Sequence, residues 1–103
     1  MAGITTHVLD TAKGRPAAGV RLLLLKDEQL LFDGVTDGDG RARLLEPSQV
    51  ESGTYRLTFD TGSYHPAGFF PEVTIVFRIE DVAQHYHVPL LLSPFGYSTY
   101  RGS

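Results

Sequence analysis

Short apolar segments alternate with turn-forming residues along the whole chain. Gly53–Asp60 alternates apolar and polar side chains, and Val73–Ile79 places Val73, Ile75, Phe77 and Ile79 on one face, which is the period of a strand that buries one face. Further strands are predicted at 4–9, 20–26, 30–36, 88–93 and 97–101, with turn signals at 27–28 and 37–40. One short helix is predicted within 61–68, with Thr61 or Ser63 as its N-cap. Residues 1–103 are therefore expected to form a single domain, an all-β sandwich.

The composition is that of a globular protein. Apolar residues make up 42% of the chain and charged residues 20%, which argues against disorder. The formal net charge of −3, with no run of Lys or Arg, argues against nucleic-acid and anionic-membrane partners. There is no cysteine, so a disulfide framework and a thiolate metal site are excluded. The opening residues have no basic region and no long apolar run, so no signal peptide is expected and a soluble cytoplasmic protein is predicted.

Two histidines lie two residues apart in the next-to-last strand. His85 and His87 must leave the same face, whereas Leu90 leaves the opposite face, which is expected to pack in the core. The outer face is still apolar at Leu91, which suggests a subunit interface. A His-x-His pair is also half of a zinc site, for which His7 is a possible third ligand. The alternative is that these histidines are only solvated or packed.

Other polar residues are weaker candidates when they are taken alone. Arg41 follows the turn at 37–40, and its fork of donors can bind a carbonyl or an oxyanion, although most arginines in such places are solvated. His7 becomes a candidate only if the first strand neighbours the last ones. Ser103 offers a hydroxyl, but the chain has no Gly-x-Ser-x-Gly elbow and no glycine-rich phosphate loop.

Taken together, several segments resemble the transthyretin-like family. They are 4–10, 14–17, 36–41, 53–55 and 85–103, in the family's order and across essentially the whole chain. The ending Tyr100-Arg101-Gly102-Ser103 is the most specific mark, since the hormone-carrying transthyretins resemble the chain elsewhere but lack it. They also lack histidines at the positions of His7 and His87 and have an acid where Arg41 stands. The resemblance is therefore to the enzymatic branch of the family.

The resemblance implies a transthyretin-like sandwich of two four-stranded sheets with one short helix. It also implies a homotetramer, a dimer of dimers, whose central channel is lined by the first and last strands. The implied reaction is hydrolysis of 5-hydroxyisourate to 2-oxo-4-hydroxy-4-carboxy-5-ureidoimidazoline in urate degradation. The catalytic set carried over is His7, Arg41, His87 and Ser103, with His7, Arg41 and Tyr100 contacting the substrate. No metal and no cofactor are expected.

In this reading the two histidines His7 and His87 activate a water molecule, since neutral imidazole is a base near physiological pH. Arg41 orients the substrate and stabilises the developing oxyanion. Two other classes remain open. A small-ligand carrier on the same sandwich would have a small residue in place of Tyr100, and a structural zinc protein would contain metal.

Overall fold

The strands and helix of the chain follow one another in the order that the pattern predicts. The computed structural model describes residues 3–102. Within them lie β1 (Gly3–Asp10), β2 (Arg15–Pro16), β3 (Arg21–Lys26), β4 (Gln29–Val35), β5 (Arg41–Leu45), β6 (Gly53–Asp60), α1 (Thr61–Tyr64), β7 (Val73–Ile79), β8 (His85–Ser93) and β9 (Gly96–Thr99). A single 3₁₀ turn, Pro47–Gln49, precedes β6. No helix within 3–102 is long and apolar enough to cross a membrane.

The strands form two sheets. One has the order β4-β3-β6-β7 and is antiparallel throughout. The other has the order β2-β1-β8-β9. On the edge of β1 that faces away from β8, β5 pairs with the first half of β1 and β2 pairs with the last two residues of β1. The expected two-sheet sandwich with one short helix is confirmed; within 3–102 the second sheet has five strands, because β2, a strand of two residues, adds to the four expected.

The core lies where the alternation predicts it. Tyr55, Leu57 and Phe59 on β6 are fully buried, and Val73 and Ile75 on β7 are also buried. The remaining members of the core come chiefly from β1, β3 and β8: Ile4, Val8, Leu22, Leu24, Val88 and Leu90. Each fully buried side chain of this kind contributes about 1.5–3 kcal/mol. Because these apolar residues occupy the inner faces, the residues that alternate with them on each strand lie on the outer surface.

Two turns contain residues with positive φ. Asp27 and Glu28 have φ of 50° and 68°, as the predicted tight turn between β3 and β4 requires. Gly40 has φ of 74°, and a Cβ at that position would collide with the carbonyl oxygen of Val8. The amide of Val8 donates to the carbonyl of Gly40 at 2.7 Å. This close approach of the turn to β1 sets the position of the next residue, Arg41.

The expected N-cap of the helix is wrong. Asp60, not Thr61 or Ser63, caps α1, because its carboxylate accepts from the amide and the hydroxyl of Ser63 at 3.1 and 2.7 Å. Thr61 lies inside the helix, and its hydroxyl donates to the carbonyl of Phe70. The chain pattern places Asp60 at the end of a strand, so its second role at the helix start was not apparent.

Asp10 joins the end of β1 to the helix. One of its oxygens accepts from the hydroxyl of Tyr64 at 2.7 Å, and the other accepts from the amides of Ala12 and Lys13. Burial raises the pKa of Asp10, but these hydrogen bonds outweigh it, and the pKa is lowered. Burial, together with the bond to Asp10, raises the pKa of Tyr64 to about 12. The pair therefore carries one buried negative charge held by three donors.

The substitution Tyr64→Phe tests this link. It leaves a carboxylate oxygen of Asp10 without its donor, so the free energy of unfolding is expected to fall by about 1–3 kcal/mol. The matched control is Tyr97→Phe, because the hydroxyl of Tyr97 has no hydrogen-bond partner within 3–102 and its side chain is half-exposed. Urea unfolding of both variants provides the measurement. Equal stability of the two would contradict a role for the Asp10–Tyr64 bond.

Candidate active site

The outer face of the sheet that contains β1 and β8 carries two adjacent rows of side chains. In the first row, His7 pairs with Arg41 on β5 and with Pro89 on β8. In the second row, Thr5 pairs with Arg43 on β5 and with His87 on β8. Residues that lie directly opposite one another in neighbouring strands share a face. The sheet therefore brings together His7, Arg41 and His87, which the sequence separates by up to eighty residues.

The β8–β9 pairing extends both rows to the end of the chain. Leu90 pairs with Thr99, and a bridge between His87 and Gly102 has the same register. Tyr100 consequently lies opposite Pro89 at the end of the first row, and its side chain is 59% exposed. Gly102 ends the second row, where its amide donates to the carbonyl of His87 at 2.8 Å. By this register Tyr100, which the resemblance names as a substrate contact, lies on the outer face.

The ring of His87 is held on both of its sides. Its Nδ1 lies 2.8 Å from the hydroxyl oxygen of Thr5. On the other side, a Cβ added to Gly102 would lie 2.5 Å from Cδ2 of the ring, so only glycine leaves room for it. Because Nδ1 and Cδ2 flank the ring's attachment point, Cε1 and Nε2 form its outer end. Nε2 is thus the nitrogen that a bound molecule can reach.

His85 lies next to this arrangement on β8. Its Nε2 is 3.0 Å from the same hydroxyl oxygen of Thr5. One threonine hydroxyl therefore contacts a ring nitrogen of each histidine of the His-x-His pair. Within 3–102, no group of three or more His, Cys, Asp or Glu side chains is arranged to hold a metal ion.

His7 presents a polar atom without a partner. Its Nε2 is inaccessible to solvent and has no hydrogen-bond partner among the residues that the structure describes. Buried polar atoms in native proteins almost always have a partner, and leaving one unpaired costs about 1–3 kcal/mol. Because solvent does not reach this atom, a bound molecule can hydrogen-bond to it only if a neighbouring side chain moves.

Arg41 is positioned by the turn that precedes it. One carboxylate oxygen of Asp37 accepts from the amides of Asp39 and Arg41 at 2.9 and 3.0 Å. These backbone hydrogen bonds lower the pKa of Asp37. The guanidinium of Arg41 is exposed and lines an open groove of ≈ 300 Å³ together with Thr5 and Arg43. No carboxylate within 3–102 forms a salt bridge with Arg41, so its guanidinium donors remain available to a ligand.

The surroundings of His87 favour its neutral form. Burial lowers the pKa of His87 from the ordinary value of 6.5, and the guanidinium of Arg41 lowers it further, with smaller effects from His7 and His85. A neutral imidazole beside a permanent cation can accept a proton near neutral pH while the cation stabilises negative charge. The arrangement is suited to general-base chemistry on a substrate that becomes anionic.

Three of the expected site residues, His7, Arg41 and His87, lie together on this face, and Tyr100 ends one of its rows. Ser103 lies outside the described residues. Sequence reasoning missed the contacts that Thr5 and Gly102 make with His87. Thr5 carried a usable signal, since it shares the outer face of β1 with His7, but its partner strand was unknown.

Comparison with known proteins gives one family. Residues 4–102 match the HIUase/Transthyretin family. The chain is 45% identical to 5-hydroxyisourate hydrolase of Caulobacter vibrioides, with 100% of both chains covered. It is 49% identical to 5-hydroxyisourate hydrolase of Mus musculus, with 97% of this chain and 94% of the mouse protein covered.

Solved structures agree with these relatives. The structure of Klebsiella pneumoniae 5-hydroxyisourate hydrolase superposes with a TM-score of 0.90 at 36% identity, covering 100% of both chains. Sea bream transthyretin in complex with thyroxine superposes with a TM-score of 0.88 at 32% identity, covering 97% of this chain and 94% of that one. Fold, sequence and relatives point the same way, and the resemblance noted from the sequence is confirmed: the chain belongs to the HIUase/transthyretin family.

Proposed function

We propose that this protein hydrolyses 5-hydroxyisourate to 2-oxo-4-hydroxy-4-carboxy-5-ureidoimidazoline. The observation that carries the proposal is the grouping of His7, Arg41 and His87 on one sheet face, with the pKa of His87 lowered beside the arginine. The similarity to 5-hydroxyisourate hydrolases over the full chain supports the same substrate. The likeness to transthyretin with thyroxine keeps a small-ligand carrier as the alternative.

The proposed reaction is addition of water to a ring amide of the substrate. The His7–His87 pair removes a proton from the water as its oxygen attacks the carbonyl carbon. The guanidinium of Arg41 holds the substrate and stabilises the negative charge that forms on the carbonyl oxygen. Collapse of the tetrahedral intermediate breaks the C–N bond, and the departing nitrogen takes up a proton. Neither histidine is singled out as the base.

Two residues of the chain end complete the proposed site. Tyr100 contacts the substrate, which its exposure at the end of the His7 row permits. Ser103 positions the water or relays a proton. The set uses only side chains of the protein, and no cofactor enters the reaction.

We also propose that the protein works as a homotetramer, a dimer of dimers, in the cytoplasm. Within 3–102, β7 is one edge of its sheet and β9 is one edge of the other, and each can pair with the same strand of a second copy. The outer face beside the histidines includes half-buried Leu91, and Phe95 at the β8–β9 turn is exposed. Contact between dimers over this face would bury the groove of Arg41 in a channel.

The primary test follows the decay of freshly generated 5-hydroxyisourate by absorbance, with and without protein. The protein is expected to accelerate the decay, and His7→Ala or His87→Ala is expected to lower kcat at least about a hundredfold, the usual contribution of a positioned acid–base group. Light scattering on the same samples is expected to give a tetramer. Tight binding without acceleration would indicate the carrier, and wild-type turnover by a monomer would contradict the shared channel.

The pH dependence tests the role of Arg41. Protonation of His87 removes a neutral member of the histidine pair, so activity is expected to persist below pH 6.5 and to fall as the pH drops through the lowered pKa of His87. In Arg41→Gln the neighbouring positive charge is gone, so this pKa rises and the acidic limb moves to higher pH. The loss of oxyanion stabilisation is expected to lower kcat by about 10²–10³.

Arg43→Gln is the matched control for Arg41→Gln. Arg43 lies on the same face of the same strand and contacts Glu46 at 3.5 Å, but it does not contribute to the pKa shift of His87. Its acidic limb is expected to coincide with that of the wild type. An unshifted limb in Arg41→Gln would remove the arginine from the electrostatics of the base.

Gly102→Ala tests the contact behind the His87 ring. The new methyl group needs the space that Cδ2 of His87 occupies, so the ring must move and kcat is expected to fall by about a hundredfold. Gly96→Ala at the start of β9 is the control, since the nearest atom to its Cβ is the Ser93 hydroxyl at 3.8 Å. Equal activity of the two variants would show that the ring does not depend on Gly102.

A further inference from the structure

The hydroxyl of Thr5 lies between two imidazole rings. Its oxygen is 2.8 Å from Nδ1 of His87 and 3.0 Å from Nε2 of His85. Both distances are those of hydrogen bonds. We propose that Thr5 and His85 are positioning residues that hold His87 as the tautomer with its hydrogen on Nδ1, so that the lone pair is on Nε2.

The number of available hydrogens limits the arrangements. A threonine hydroxyl has one hydrogen to donate, so it cannot donate to both ring nitrogens at once. If it donates to Nε2 of His85, then Nδ1 of His87 must carry a hydrogen and donate to the threonine oxygen. If it donates to His87 instead, Nδ1 of His87 carries no hydrogen, and the one N–H hydrogen of the neutral ring is on Nε2. The direction of this short chain therefore decides which nitrogen of His87 can act as a base.

The geometry around His87 favours the first direction. Nδ1 faces Thr5 within the sheet, whereas Nε2 lies at the outer end of the ring, the end that a water or a substrate can approach. A base directed at a bound molecule needs its lone pair on that outer nitrogen. The arrangement is the one by which a second group orients a catalytic imidazole, with a threonine and a second histidine in place of a carboxylate.

The neighbouring threonine shows that the Thr5 hydroxyl is unusual. Thr6 points to the inner face and donates its hydrogen to the carbonyl of Val88 at 2.6 Å. Thr5, one residue earlier, makes no hydrogen bond to a main-chain carbonyl within 3–102, and both of its contacts are to histidines. The hydrogen of the Thr5 hydroxyl is therefore available for a bond to either of the two rings.

The tautomer is measured directly by two-bond ¹H–¹⁵N correlation spectra of the wild-type protein labelled at histidine nitrogens. The His87 signals are assigned by their absence in His87→Ala. At a pH where His87 is neutral, the expected pattern is a protonated Nδ1 and a bare Nε2. A protonated Nε2 in the wild type would overturn the proposal without any further variant.

The paired variants Thr5→Val and Thr5→Ser test the positioning role. Valine has the shape of threonine without its hydroxyl, so the fraction of His87 with hydrogen on Nδ1 is expected to decrease and kcat to fall about tenfold, with KM nearly unchanged. Thr5→Ser restores the hydroxyl and is expected to recover most of both. A valine variant with the wild-type tautomer and kcat would contradict the proposal.

Thr58→Val controls for the loss of a strand hydroxyl. Thr58 is on the outer face of the other sheet, and its hydroxyl contacts that of Thr74 at 3.0 Å. Its kcat and the His87 spectrum are expected to equal those of the wild type. The kinetic part of the proposal rests on the proposed hydrolase function, but the spectrum needs no substrate. Failure of the hydrolase assay and failure of the histidine relay are thereby distinguished.

Discussion

The parallel pairing of β1 with β8 is the contact on which the site depends. It joins Thr5 to His85 and His87 across about eighty residues of sequence, and all eight residues of β1 take part. A slip of one residue would turn His7 and Thr5 to the inner face. Ile4 and Val8 prevent the slip, because both are fully buried in the core. The apolar residues of β1 thus determine the position of the polar ones that alternate with them.

The electrostatics of the site follow from the same rows. Arg41 on β5 lies opposite His7 on β1, and burial of the His87 ring, together with the charge of Arg41, keeps the pKa of His87 low. An unengaged carboxylate near the ring would have the opposite effect and would favour imidazolium. The carboxylate of Asp37 accepts from the amides of Asp39 and Arg41, which fixes the turn and keeps the carboxylate ionised. The neutral form of His87 is favoured because burial of the ring and the charge of Arg41 lower its pKa in the same direction.

The fold was largely predictable from the sequence, but the site only partly. The period-2 pattern identified β6 and β7 to the residue and assigned the faces of β8, because burial alone determines that pattern. Which strands become neighbours depends on the packing of the whole chain, and the alternation of apolar and polar residues does not predict that pairing. The contact of Thr5 with His87 was therefore invisible, and the resemblance to a family was needed to group His7 with Arg41. The N-cap was missed for a local reason, since Asp60 ends one element and starts the next.

Pro89 interrupts the main-chain hydrogen bonding between β8 and the residues that follow β9. Proline has no N–H to donate to β9, and the regular ladder stops at Thr99. The register nevertheless continues to the bridge between His87 and Gly102. The hydroxyl of Thr99 donates to the carbonyl of Pro89 at 2.8 Å, so a side-chain bond holds the two strands together where the main-chain bond is absent. The interruption leaves the pair of Pro89 and Tyr100 without a ladder bond, while Gly102 supports the ring of His87. The segment after β9 thus places an exposed tyrosine and, two residues later, the glycine that packs against His87 on the same face.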